Sequence, residues 1–174
     1  VLDLSPANTR YDNLAPEVQD NGRGGYLLQE NWLNEYCPNP SAGGNPDKWP
    51  AAYARYVSWM VELFQPTHVG IARRINLYEE NCEAARPGAY ASMLSFAGRA
   101  NGALKDAGSE VVTVVSVDVE DLYGYPRTEG RCPSLSPKDC FAERKDLLAP
   151  IDADHLGLSS YPAVALASMK DLPD

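Results

Sequence analysis

Val111-Val-Thr-Val-Val-Ser-Val117 holds five valines in seven residues. β-Branched side chains at this density favour an extended backbone, and a run apolar on both parities suits a strand buried on both faces of a parallel sheet. Gly108 lies just upstream, placed to cap the C-terminus of a preceding helix. That helix opens at Pro87 and carries Tyr90, Met93, Leu94, Ala97 and Leu104 on one side. Upstream of it, His68 to Leu77 reads as a second strand. Tyr53, Tyr56, Val57, Met60 and Phe64 then recur at helical spacing from Pro50, with Pro66 as a stop.

Downstream of the valine run, Ser136 is placed to N-cap a helix with Pro137 at its first position and Leu147 and Leu148 near its end. His155 to Tyr161 reads as the last strand, halted by Pro162, and Val1 to Ser5 as a short opening one. Strands alternating with helices predict an α/β fold with right-handed crossovers and a parallel sheet. We expect a partial (β/α)8 TIM barrel with about four parallel strands. An eight-stranded barrel needs about 250 residues, so residues 1–174 are expected to be a single domain, part of a longer barrel truncated at both ends. The competing expectation is a complete open sheet of about four strands.

The stretch from Pro6 to about Trp49 is rich in Asn, Gly and Pro. So long a connection is either functional or contains small elements of its own, and Tyr26, Trp32 and Tyr36 either stack on a ligand or pin it to the body. Composition narrows the function classes. The chain has 44% apolar and 22% charged residues, with a net charge of −9 from 24 acidic and 15 basic residues. Without a Lys/Arg cluster, that charge opposes nucleic-acid binding. No run approaches the ~20 apolar residues that span a bilayer, so no membrane partner is expected.

Two distant histidines and the lack of a CxxC pair argue against a metal site, and no cofactor is expected. The four cysteines permit three connectivities. Pairing of Cys37 with Cys82 and of Cys132 with Cys140 is preferred, because the latter two bracket a short loop and the former two follow polar segments. Disulfides imply a secreted or periplasmic protein, and four free buried thiols in a cytosolic one are the alternative.

Side chains alternate across a strand. One parity is small or apolar early and polar late: Gly70, Ala72, Arg74 and Asn76; Val112, Val114, Ser116, Asp118 and Glu120; Gly157, Ser159 and Tyr161; and Asp3 with Ser5 in the opening strand. A filled barrel whose ligand binds at the carboxyl ends of its strands shows this gradient. The alternative is that these groups only cap and tie loops. The acidic candidates for catalysis are Glu79, Glu80, Asp118 and Glu120, with Asp121 beside them. Two carboxyl groups roughly 5–10 Å apart, one protonated and one ionised, hydrolyse a glycosidic bond.

Three runs carry a resemblance: Thr67-His-Val-Gly-Ile-Ala-Arg-Arg-Ile-Asn-Leu-Tyr78, Val115-Ser-Val-Asp-Val-Glu-Asp-Leu-Tyr123 and His155-Leu-Gly-Leu-Ser-Ser-Tyr-Pro162. In order, they resemble strands four, five and six of retaining TIM-barrel glycoside hydrolases of the endo-galactanase and cellulase kind. The resemblance implies a carbohydrate partner, an acid/base Glu at the end of strand four, and a nucleophile on strand seven, beyond this chain. Here Asn76 is followed by Leu77 in place of Glu, and Arg74 stands two residues before it. Glu79 or Glu80 is then the expected proton donor, and a non-catalytic carbohydrate-binding relative is the alternative. Trp32, Arg74, Asn76, Tyr78, Tyr161 and Asp3 are the expected substrate-binding residues, through stacking and hydrogen bonds to hydroxyls.

Overall fold

The computed structural model describes residues 1–7, 14, 22–23, 37, 48–124, 132 and 134–160, and the backbone of 17–20 and 26–29. The chain opens with strand β1 (Leu2–Asp3), followed by β2 (Glu17–Asp20) and β3 (Tyr26–Gln29), which pair antiparallel. Helix α1 (Lys48–Phe64) leads to β4 (His68–Ala72), then α2 (Asn76–Cys82) and α3 (Ala89–Asp106). After β5 (Val112–Asp118) come the one-turn helix α4 (Val119–Leu122), α5 (Pro137–Arg144), a 3-10 turn (Lys145–Leu148) and β6 (His155–Ser159).

Strands β1, β4, β5 and β6 form one parallel sheet in that order. The valine-rich strand is thus internal, paired from His68↔Val112 on one side and through Asp118↔Ser159 on the other. Successive strands lie side by side, as staves do in a (β/α) barrel and as strands do in an open sheet wound in one direction. The expected parallel α/β architecture is therefore present.

Alternation along β5 separates the two faces. Thr113, Val115 and Val117 are buried and Val112, Val114 and Ser116 half-buried. The buried parity packs with Val69 and Ile71 of β4 against Val57 of α1 and Met93, Phe96, Ala97 and Ala100 of α3 in one apolar core. Glycines mark the other face. A Cβ at Gly157 would come within 3.2 Å of both Val114 and Ser116, and one at Gly70 would collide with the Asp3 carboxylate. Asp3, Gly70, Val114, Ser116 and Gly157 thus share the face predicted from parity.

Two strand ends fall earlier than the alternation suggested. The strand read as reaching Leu77 stops at Ala72, because Arg74 adopts a left-handed conformation (φ 46°) that turns the chain. The turn is secured where the Arg74 amide donates to Ser116 Oγ and the Ile75 amide to the Ser116 carbonyl. Residues 76–82 then coil, so Asn76, Tyr78, Glu79 and Cys82 share the buried face of a helix. Likewise Glu120 sits on α4, whose first turn is N-capped by Asp118.

Both preferred disulfides form, Cys37–Cys82 and Cys132–Cys140. They fit an oxidising compartment. Among the described residues no helix is long and apolar enough to cross a membrane.

Candidate site at the carboxyl ends of the strands

The turn after β4 and the N-terminus of α4 place a set of charged side chains at one end of the sheet. Asn76 organises it. Its Oδ1 accepts from the Asp118 amide at 2.7 Å, and its Nδ2 donates to the Asp118 carbonyl at 3.0 Å and to Asp121 Oδ2. Asp118 in turn spends one carboxylate oxygen on the Asp121 amide and the other on the guanidinium of Arg74, with Nε at 2.8 Å.

Asp121 Oδ2 also accepts from Arg144 Nη2 at 2.8 Å, and the same nitrogen reaches Glu79 Oε2 at 3.2 Å. Arg144 is 7% exposed, and its Nε and Nη1 find no acceptor among the described residues. Tyr90, whose hydroxyl donates to the Leu147 carbonyl, has its phenol pushed up by burial and by the nearby Glu79. Burial likewise pushes the Asp121 carboxyl up to about 7. Arg144 pulls against that rise, while a hydrogen bond from the protonated Asp121 to the neighbouring Glu80 carboxyl adds to it.

The structure thus brings Arg74, Asn76, Glu79, Glu80, Asp118 and Asp121 together. Glu120 points to the neighbouring strand end, where its Oε1 accepts from Ser160 Oγ at 2.7 Å. Asp3 lies at the end of β1 over Gly70. Within the cluster, exposure divides the roles. Asn76 and Tyr78 are fully buried, and Glu79 is 8% exposed; all three support the site from beneath. Glu80 is half-buried and the Arg74 side chain 24% exposed. Trp32 and Tyr161 lie outside the described residues. No protein-family model, curated protein or solved structure matches the chain.

Arg144 escaped the sequence reading. It sits four residues after Cys140, and the two are the buried positions of α5. That i, i+4 relation to a half-cystine was the available signal. At the opposite end of the sheet a second polar network joins Thr113, Asn101 and Asp154. Hydrogen bonds from the Thr113 amide and hydroxyl hold the Asp154 carboxyl below its ordinary value. Its place at the amino ends of the strands makes it a tie between β5 and the entry to β6. Among the described residues no group of three or more His, Cys, Asp or Glu is arranged to hold a metal ion.

Proposed function

We propose that this chain belongs to a secreted or periplasmic glycoside hydrolase-like (β/α)8 barrel acting on a polysaccharide, with Glu80 as proton donor. The observation that carries this reading is the Glu80–Asp121 contact, in which one carboxyl group is pushed up to about 7 against a second. Such a pair retains a proton near neutrality, as a general acid must. The carboxyl that holds the proton, Asp121, is 2% exposed and out of reach of a sugar, so the half-buried Glu80 bonded to it is the member that relays that proton to the glycosidic oxygen. Asp118, paired with Arg74, and Glu120, on the β6 side, are the further carboxyl groups of the same strand ends. Arg74 supplies hydrogen bonds to sugar hydroxyls, and Trp32 and Tyr161 stack on the rings. The two disulfides support an oxidising destination.

Hydrolysis of aryl glycosides and of plant and microbial polysaccharides tests the reading. Glu80→Gln is expected to lower kcat by about 10²- to 10⁴-fold, whereas Glu79→Gln acts through stability. Unchanged rates in Glu80→Gln remove the proposed donor. A second reading, a non-catalytic carbohydrate-binding domain, draws on the internal neutralisation of Asp118 by Arg74 and of Glu79 and Asp121 by Arg144. Calorimetric binding of an oligosaccharide with no product released would favour it.

A further inference from the structure

Away from the strand ends, the outer surfaces of α1 and α3 form an open groove of about 770 Å3. Both helices precede strands of one parallel sheet, so they run in the same direction. The groove is bordered by residues 51–62 of one and 95–106 of the other, two stretches of equal length. Charge falls on it in two bands. Arg55 and Arg99 lie on the N-terminal side of the groove, and Glu62 and Asp106 seven residues further on each helix. At 1.5 Å per residue the bands are roughly 10 Å apart. Between them Trp59 is 56% exposed, and a Cβ at Gly102 would meet nothing within 4 Å.

We propose that this face is the contact surface for a second copy of the chain, related by a two-fold axis that crosses α1 and α3 at the level of Trp59 and Gly102. That operation lays each helix antiparallel on its counterpart. Arg55 then faces Glu62 of the second copy, and Arg99 faces Asp106. The macrodipoles of the facing helices oppose, which is the favourable sense. The two Trp59 indoles meet at the axis, where Gly102 leaves room for them. A two-fold parallel to the helices would instead set Arg55 against Arg99, so the charge pattern selects one dimer geometry.

Sedimentation equilibrium across the micromolar to sub-millimolar range tests the arrangement. The expected species has twice the 19.0 kDa mass of one chain. Glu62→Arg sets like charges across the axis and is expected to weaken association by about tenfold or more. The double reversal Arg55→Glu with Glu62→Arg restores it, because the pair is regenerated with opposite sign. All four positions are exposed, and circular dichroism verifies that the variants stay folded. A wild-type protein that sediments only as a monomer, a Glu62→Arg variant that associates normally, or a double reversal that fails to recover would each overturn the proposal.

Discussion

Asn76 grips the backbone of Asp118 at both its amide and its carbonyl, so the turn after β4 is fastened to the end of β5 by one side chain. The amide supplies a donor and an acceptor together, a combination that aspartate and leucine both lack. Asn76 is fully buried, and a lost partner leaves main-chain groups unsatisfied away from water. Asn76→Asp is expected to cost about 2–4 kcal/mol, since it loses the donor and points an anion at a carbonyl. Urea unfolding measures this. A variant as stable as wild type would show that the clamp does not carry the turn.

Asp121 makes stability depend on pH in an unusual direction. Its carboxyl is raised from 3.8 to about 7 in the folded chain. The native state therefore binds a proton more tightly than the unfolded state between those values. Stability contributed by this group is present below the unfolded value and declines as pH rises toward 7, by about 1 kcal/mol per pH unit. Asp121→Asn removes the titration. The urea midpoint of the variant relative to wild type should thus improve between pH 4 and pH 7. A difference independent of pH would show that Asp121 titrates normally.

Much of this is legible in the sequence. The β-branched run, the spacing of Tyr90, Met93 and Ala97, and the Ser136-Pro137 cap all state local preferences that the fold obeys. The parity reading placed Asp3, Gly70, Ser116 and Gly157 on one face because side chains alternate along a pleat, but Ala72 leaves that face where an irregularity after Gly70 sets it level with Val115. It failed where the alternation itself ended. Arg74 occupies a backbone conformation that non-glycine residues seldom adopt, so no propensity announces that the strand stops there. Long-range partners were equally silent: the Glu79–Arg144 pair joins residues 65 positions apart. The start of α3, by contrast, is held locally by Glu83, whose carboxylate accepts from the Gly88 and Tyr90 amides five and seven residues on.

Arg144 is the counter-ion for two buried carboxylates, Glu79 and Asp121. Arg144→Met keeps the volume and removes the charge. Breaking a buried ion pair from one side typically costs about 3–5 kcal/mol, because the abandoned anions must protonate or draw in water. The same variant is expected to raise the Asp121 carboxyl further, since Arg144 is the group that lowers it. Adding Glu79→Gln and Asp121→Asn to Arg144→Met should recover most of the loss. Equal stability of the single and triple variants would rule out a charge effect and leave packing as the cause.

The two disulfides differ in what they enclose. Cys37–Cys82 spans 45 positions and ties the segment before α1 to the end of α2, while Cys132–Cys140 spans 8 and anchors α5. Chain-entropy arguments assign about 4 kcal/mol to closing the longer loop and about 2–3 kcal/mol to the shorter. Both cysteines of the longer bridge are fully buried in the core with Tyr78, so paired replacement by serine also places hydroxyls among apolar neighbours. Alanine is the cleaner substitution. Cys37→Ala with Cys82→Ala should therefore lower the unfolding midpoint more than Cys132→Ala with Cys140→Ala. The second pair has a distinct signature, because α5 carries Arg144: its loss should perturb the pH dependence assigned to Asp121, and loss of the first should not. Identical pH profiles for the two variants would show that α5 keeps Arg144 in place without its bridge.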